Sequence, residues 1–123
     1  MNVVIIEDEE LAAMRLESMI LKIDPTIEVL AKLESVEESV EWLNNNGDPD
    51  LIFLDINMPA MNGWEFLEAY KKINKQGHSV SLIMLTTSLN PEDVQKAREY
   101  SEVTDFKSKP LSEEMVRDIL DRL

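Results

Sequence analysis

The sequence predicts an α/β fold, in which a doubly wound, five-stranded parallel sheet of order 2-1-3-4-5 carries five helices on its two faces. Five short apolar runs alternate strictly with five stretches of helical period. Such alternation produces parallel strands that are joined by right-handed crossover helices. One run, Leu51 to Leu54, is apolar at every position, as expected of a strand that is covered on both faces.

The first strand and the first helix are predicted at the start of the chain. Val3 to Ile6 is the strand, and a helix follows from Glu9 to Ile23. Apolar residues recur along it every three or four positions, which places them on one face. These residues are Ala12, Leu16, Met19 and Ile23. Asp24-Pro25 ends the helix because a residue before proline disfavours the helical backbone.

The second strand is predicted over Ile27 to Ala31. Ser35 and Glu38 then have the spacing of a capping box, which predicts the start of a second helix. The apolar face of this helix consists of Val36, Val40 and Leu43. The turn-forming segment 44–49 ends it, and Leu51 to Leu54 is the third strand.

A loop through Pro59 and Gly63 leads into the third predicted helix. The apolar residues of this helix are Phe66, Leu67, Tyr70 and Ile73. Leu82 to Leu85 is the fourth strand. Asn90-Pro91 starts a fourth helix that runs to about Tyr100, because asparagine caps helices and proline fits their first position.

The last strand is the least apolar of the five. It is predicted over Val103 to Lys107, where Thr104 and Asp105 dilute the apolar pattern. Ser112 caps the final helix. Its inward positions include Met115, Ile119 and Leu123.

Composition restricts the possible functions. The chain has 123 residues, 44% apolar and 30% charged, as expected of one folded domain, 1–123. It has no cysteine, which excludes disulfides and thiolate metal sites. A net charge of -13 without a basic patch argues against nucleic-acid binding and favours a cation or a basic partner. A basic leader is absent, and no run approaches the ~18 apolar residues of a membrane span. We therefore expect a cytoplasmic protein without a membrane partner.

Acidic residues follow the two strands between which the strand order reverses. Glu7-Asp8-Glu9 follows the first strand, and Asp55 ends the third. Ligands of parallel sheets bind at this reversal point, beyond the carboxyl ends of the strands. Carboxylate oxygens without His or Cys favour Mg²⁺. We expect Asp8 and Asp55 to be direct ligands and Glu7 to act through water. The alternative is that the acidic run only complements the dipole of the first helix.

Asp55 also has the chemistry of a nucleophile, since a carboxylate can attack phosphorus and form an acyl phosphate. Lys109, after the fifth strand, can neutralise phosphoryl charge, and Thr86 offers a hydroxyl to a phosphoryl oxygen. Taken separately, Lys109-Pro110 and Thr86-Thr87 are typical of ordinary loops and turns. For this chemistry we expect Asp55 to be exposed to attack.

Four segments together resemble the receiver domain of bacterial two-component response regulators, which is a CheY-like member of the flavodoxin-like folds. The segments are Ile5 to Glu9, Leu54 to Pro59 with Gly63, Leu85 to Ser88, and Phe106 with Lys109-Pro110. The resemblance covers the whole chain. It implies that Asp55 accepts a phosphoryl group from a sensor histidine kinase or a phosphotransfer protein. It also implies that the chain is no enzyme beyond its own phosphorylation and dephosphorylation.

The same resemblance implies a metal site. Glu7, Asp8, Asp55 and the backbone carbonyl of Asn57 would hold Mg²⁺. Glu7 stands where the family more often has aspartate.

Roles for the switch residues are also implied by the resemblance. Lys109 would pair with the phosphoryl group, Thr86 would swing toward it, with Thr87 as the neighbouring alternative, and Phe106 matches the aromatic switch position. Lys109-Pro110 would be a cis peptide. Residues that would tune the lifetime of the phosphorylated form are Asn57, Thr87 and Ser88.

The implied output is a change in the face formed by the fourth helix, the fifth strand and the fifth helix. This face would bind a downstream protein or a second copy of the chain. Two rival functions are less consistent with the sequence. A pseudo-receiver would fold identically without phosphorylation, but the intact set Asp8, Asp55, Thr86 and Lys109 argues against it. An aspartyl phosphatase of the haloacid-dehalogenase kind would need an acid where this chain has Asn57.

Overall fold

The computed structural model describes residues 1–46, 48–58, 61–73, 80–87 and 91–122. The strands are β1 (Asn2–Ile6), β2 (Glu28–Leu33), β3 (Leu51–Asp55), β4 (Asn57–Met58), β5 (Met61–Asn62), β6 (Ser81–Thr86) and β7 (Asp105–Ser108). The helices are α1 (Glu10–Ile23), α2 (Val36–Asn46), α3 (Gly63–Ile73), α4 (Pro91–Arg98) and α5 (Glu113–Asp121).

The central sheet has the order β2-β1-β3-β6-β7, and all four of its pairings are parallel. Counted along the sheet strands alone, this is the predicted order 2-1-3-4-5, so the predicted fold class is confirmed. The order reverses between β1 and β3, which are hydrogen-bonded neighbours.

Alternate residues of the strands divide the core into two layers, because successive side chains of a strand point to opposite faces. Val4, Ile6, Ile52 and Leu54 pack with apolar residues of α2 and α3. Val3, Ile5, Leu51 and Phe53 pack with α1 and α5 on the other face. Residues 51 to 54 are all 0% exposed, which explains their uninterrupted apolar character.

The inward faces of three helices differ slightly from the predicted ones. In α2 the buried residues are Ser39 and Leu43, whereas Val36 and Val40 are half-buried. In α1 the buried residues are Ala13, Leu16 and Ile20, whereas Ala12, Met19 and Ile23 are half-buried. In α5 they are Val116 and Ile119, and Met115 is half-buried. The 3.6-residue period locates an apolar stripe but does not decide which edge of that stripe meets the sheet.

Helix capping follows the prediction where the structure describes it. The Ser112 hydroxyl accepts a hydrogen bond from the Met115 amide at 3.1 Å, and the Ser35 hydroxyl accepts one from the Glu38 amide at 3.1 Å. The predicted cap Asn90 lies outside the described residues, as do Pro59 and Leu123. α4 ends at Arg98, two residues before the predicted Tyr100. A turn follows, in which the Tyr100 amide donates a hydrogen bond to the Ala97 carbonyl at 3.1 Å.

Two strand boundaries were predicted wrongly. The fifth sheet strand, β7, begins at Asp105 and not at Val103. The Thr104 hydroxyl accepts the hydrogen bond of the Leu82 amide at 3.0 Å, so a side chain takes the place of the strand ladder at that point. β2 extends to Leu33, because Ile5 and Ile6 at the end of β1 pair with Lys32 and Leu33. A register shift between Val3 and Val4 precedes this pairing.

The β4–β5 hairpin is an addition that the sequence pattern did not predict. Asn57 pairs with Asn62 and Met58 with Met61 in an antiparallel arrangement. Two-residue strands are held by backbone hydrogen bonds, so they leave no periodic side-chain signal. None of the helices in the described part of the chain combines the length and the apolar character needed to cross a membrane.

Gly63 begins α3 in contact with Ile56, the residue after Asp55. A Cβ atom at position 63 would lie 2.6 Å from Ile56 Cγ2 and 2.8 Å from Ile56 Cα. The backbone of Ile56 is itself held by a hydrogen bond from its amide to the Leu85 carbonyl at 3.0 Å. Glycine therefore allows α3 to start against the segment that carries Asp55.

We expect Gly63→Ala to lower the free energy of unfolding by about 1 to 3 kcal/mol, because the contact with the Ile56 backbone cannot be relieved by a side-chain rotation. Urea unfolding followed by circular dichroism measures the change. Glu65→Ala, at an exposed position of the same helix, is the control and should change the stability by less than about 0.5 kcal/mol. Equal stability of the two variants would show that the backbone at Ile56 yields.

Candidate functional site

The carboxyl ends of four sheet strands bring the predicted site residues to one edge. Glu7 directly follows β1, Asp55 is the last residue of β3, and Thr86 is the last residue of β6. Lys109 directly follows β7. Register aligns these ends, since Ile6 pairs with Leu54 and Asp55 with Leu85. Residues up to 102 positions apart in the chain thus become neighbours.

Lys109 joins the two acidic strand ends. Its ammonium Nζ donates hydrogen bonds to Glu7 Oε2 at 2.8 Å and to Asp55 Oδ2 at 2.9 Å. The Lys109 side chain is 19% exposed, against 4% for Glu7 and 3% for Asp55. This is a buried arrangement of one cation and two carboxyl groups, in which charges interact more strongly than at the surface.

The position of Lys109 depends on its backbone as well as on its charge. Its amide donates to the Thr86 carbonyl at 2.6 Å, which ties the residue after β7 to the end of β6. The Lys109-Pro110 peptide is cis, as predicted.

Asp8 completes an acidic group with Glu7 and Asp55. Each of the three offers a carboxylate oxygen, and these oxygens all lie within 4.8 Å of one another. Asp8 is half-buried. Three close carboxyl oxygens, without histidine or cysteine among them, fit the hard-oxygen ligand set that Mg²⁺ prefers.

The Glu7 carboxyl group has a strongly raised pKa, about 7. Burial is the main cause because it disfavours the charged form, and the hydrogen bond with Asp55 adds to it. Lys109 acts in the opposite direction. The amide of Glu9 donates to Glu7 Oε1 at 3.2 Å, which holds the side chain in place.

The pKa of Lys109 lies above its ordinary value. Burial by itself would lower it, but the hydrogen bonds to Glu7 and Asp55 outweigh burial, because they favour the ammonium form. Lys109 is therefore a permanent cation at this site near neutral pH.

Of the predicted switch residues, Thr86 lies at this edge of the sheet, whereas Phe106 lies within β7. Thr86 is 0% exposed, and its neighbour Thr87 is exposed. Phe106, in β7, is half-buried against the core layer that includes α2, α3 and α4. It sits opposite Met84 of β6 in the sheet. Asn57 lies in β4, two residues beyond Asp55, and Ser88 lies outside the described residues.

One expectation about the site was wrong. Asp55 was expected to be exposed, but it is 2% exposed. The reason is tertiary: Glu7 and Lys109 lie against the carboxylate, and β3 runs through the centre of the sheet. The direct pairing of Glu7 with Lys109 was also missed. One feature of the sequence could have indicated this pairing: position 7 is glutamate, whose side chain reaches farther than that of aspartate.

The raised pKa of Glu7 leads to a prediction about metal binding. A cation near Glu7 competes with the proton, so Mg²⁺ affinity should rise as pH increases from about 6 to 8, by at most about tenfold per pH unit for one proton. Isothermal titration at several pH values measures this slope. Glu7→Gln should flatten it, whereas Glu9→Gln, a nearby exposed position, should not. An unchanged slope in Glu7→Gln would assign the proton to another group.

The same pKa determines how Glu7 affects stability. Its pKa is about 7 in the folded protein and 4.5 as the ordinary value. The folded state therefore binds the proton more tightly, and this contribution to stability is fully present below pH 4.5. It is lost as pH rises through about 7.

The chain is similar to several known proteins. A family model described as the response regulator receiver domain matches residues 3–121. The sensory transduction protein LytR of Staphylococcus epidermidis is 32% identical over 123 residues, which is 100% of this chain and 46% of that protein. The nitrate/nitrite response regulator protein NarL of Escherichia coli K12 is 33% identical over 93 residues, 76% of this chain and 41% of that protein.

Among solved structures, a two component response regulator from Cytophaga hutchinsonii is similar, with a TM-score of 0.86 and 25% identity. The match covers 98% of this chain and 94% of that one. The chain spans less than half the length of the LytR and NarL proteins that it matches.

Proposed function

This chain belongs to the response regulator receiver domain family, and on that premise we propose that Asp55 accepts a phosphoryl group at a site that Glu7, Asp8 and Asp55 share with Mg²⁺. The observation that carries the proposal is the bridge from Lys109 to both Glu7 and Asp55, with Asp8 beside them. The ammonium of Lys109 is buried beside Asp55, where it can pair with the negatively charged oxygens of a phosphoryl group.

In the proposed step, a carboxylate oxygen of Asp55 attacks phosphorus of a phosphohistidine. The new P–O bond forms as the P–N bond breaks, and the electron pair of the broken bond stays on the imidazole nitrogen, which is then protonated. Because Asp55 is 2% exposed, the attacking oxygen becomes accessible when Glu7 and Lys109 shift from it. Lys109 then pairs with the phosphoryl oxygens.

Bound Mg²⁺ would supply charge neutralisation during this transfer. The ligand set would be Glu7, Asp8, Asp55 and the backbone carbonyl of Asn57. Asp8 is the group best placed to bind the ion from the open side, since it is half-buried while the other two carboxyl groups are buried.

Phosphorylation is proposed to change the face that α4, β7 and α5 form. Thr86 and Lys109 are linked through the backbone, and β6 pairs with β7 from Ile83 to Thr86. A phosphoryl group that draws the Thr86 hydroxyl and the Lys109 ammonium together would bias the position of Phe106 in the neighbouring strand. The output is a population shift between two states of this face.

The partners follow from this role. Residues 1–123 would act as one cytoplasmic domain that receives the phosphoryl group from a histidine kinase or a phosphotransfer protein. The output face would bind a downstream protein or a second copy, without nucleic-acid or membrane contact by this domain. Asn57, Thr87 and Ser88 would set the lifetime of the phosphorylated form.

Incubation with acetyl phosphate tests the proposal. Intact-mass measurement should show the gain of one phosphoryl group that requires Mg²⁺, is prevented by a chelator and is removed by hydroxylamine, as expected of an acyl phosphate. Steady turnover of p-nitrophenyl phosphate would instead support the aspartyl phosphatase. A folded, Mg²⁺-binding protein that never gains mass would support the pseudo-receiver.

A further inference from the structure

A cavity of about 130 Å³ lies between α1 and the segment that joins β7 to α5, beside the phosphoacceptor site. We name it the α1 cavity. Its apolar lining comes from all three surrounding elements: Leu16 and Met19 of α1, Ile5 and Leu85 of the sheet, and Leu111 of the joining segment. An apolar cavity of about 150 Å³ in another protein stays dry and holds one benzene molecule. The α1 cavity therefore has room for one ring or for a chain of about six carbons.

The mouth of the α1 cavity is marked by its two exposed lining residues, Arg15 and Pro110. Within the ranges that the structure describes, the Arg15 guanidinium has no ion-pair or hydrogen-bond partner. The other cation of the lining, Lys109, already contacts Glu7 and Asp55. An anionic group that enters the cavity would thus meet Arg15 first, and arginine pairs readily with carboxylates.

We infer that the α1 cavity binds a small amphipathic monoanion, such as an aryl carboxylate or a carboxylate with a short acyl chain. The apolar part of the ligand lies against Leu16, Met19 and Leu111, and its carboxylate pairs with Arg15. The cavity adjoins the phosphoryl site but is not identical with it: its lining includes Glu7 and Lys109 of that site, but neither Asp8 nor Asp55.

A ligand in the α1 cavity would also affect phosphorylation of Asp55, and this part of the inference rests on the proposed function. Lys109 lines the cavity and also contacts Asp55. A ligand packed against the Lys109 side chain restricts its movement, and Asp55 becomes accessible only when Lys109 shifts. Occupation of the α1 cavity therefore slows phosphorylation of Asp55.

Binding is tested without any phosphodonor. Benzoate is titrated into the ¹⁵N-labelled protein, and NMR shifts are followed, with benzyl alcohol as the uncharged ligand of similar size. Benzoate should give saturable shifts at Ala12, Arg15 and Leu111. Arg15→Gln should weaken benzoate binding about fivefold and leave benzyl alcohol binding unchanged. Lys22→Gln, which alters an exposed lysine of the same helix, should retain the affinity for both ligands.

A second variant tests the cavity itself. Ala12→Leu adds three carbons to the lining and should abolish saturable binding of both ligands. Shifts that do not saturate, or equal benzoate affinity in Arg15→Gln and in the unaltered protein, would overturn the site, and the Arg15 comparison stands even if Ala12→Leu fails to fold.

The regulatory consequence has its own measurement. Benzoate should slow acetyl phosphate labelling of the unaltered protein, and the concentration that gives half of this effect should be about fivefold higher for Arg15→Gln. Saturable binding with an unchanged labelling rate overturns the coupling to Lys109. Absence of labelling even without benzoate overturns the proposed function instead, so the two failures are distinguishable.

Discussion

Asp55→Asn is expected to abolish phosphorylation by acetyl phosphate, to below about 1% of the unaltered protein. An amide oxygen at position 55 cannot form an acyl phosphate by attack on phosphorus, and the other carboxyl group that contacts Lys109, Glu7, is proposed as a metal ligand. Intact-mass measurement after incubation with acetyl phosphate and Mg²⁺ quantifies the adduct. We expect the phosphorylated product to be absent, and not merely to form a few times more slowly.

The matched control is Asp121→Asn, which makes the same chemical change at an exposed position of α5. It should be labelled as fast as the unaltered protein. Circular dichroism confirms that both variants are folded. If Asp55→Asn still gains one phosphoryl group, the acceptor is a different side chain, and peptide mapping would identify it.

Lys109→Met is expected to lower the free energy of unfolding by about 3 kcal/mol in the absence of divalent cations. The substitution leaves two carboxyl groups buried, at 4% and 3% exposure, without their cation. About 3 kcal/mol is the lower end of the usual range for a broken buried ion pair. The loss is expected at this lower end because the raised pKa of Glu7 lets the site take up a proton near pH 7.

Mg²⁺ should restore part of the stability that Lys109→Met loses, because a bound cation replaces the missing charge and binds only the folded state. Urea unfolding without Mg²⁺ measures the loss of stability, and urea unfolding with Mg²⁺ measures how much of it is restored. The loss should also be larger at pH 8 than at pH 6, since Glu7 then carries its charge more fully.

Lys107→Met is the control for this variant. Lys107 pairs with Asp105 at 3.3 Å, and both side chains are partly exposed, so the change should stay below about 1 kcal/mol. An equally small effect for Lys109→Met would mean that the buried carboxyl groups are neutralised by other means, and the assignment of Lys109 as the essential cation of the site would be wrong.

Several elements could be predicted because their signals are local. Leu51 to Leu54 is a central strand since an uninterrupted apolar run has to be covered on both faces. Ser112 caps α5 because a serine before a helical period satisfies a free amide. The strand order also followed, as strict alternation of strands and helices leaves few right-handed arrangements.

Other boundaries depended on contacts that no local pattern contains. β7 begins at Asp105 because the Thr104 hydroxyl bonds the amide of Leu82, a residue 22 positions away. β2 reaches Leu33 because β1 pairs with it to its end. The β4–β5 hairpin pairs two strands of two residues each, which are too short to give a periodic pattern of residue types.

The sequence by itself determined which chemical groups meet at the site, because parallel strands carry whatever follows them to one edge of the sheet. Only the tertiary structure decided how they meet: the ammonium of Lys109 between Glu7 and Asp55, the burial of Asp55, the raised pKa of Glu7 and the α1 cavity. Distances, burial and proton affinity are set by neighbours that are remote in the chain, so they exist only once the fold has formed.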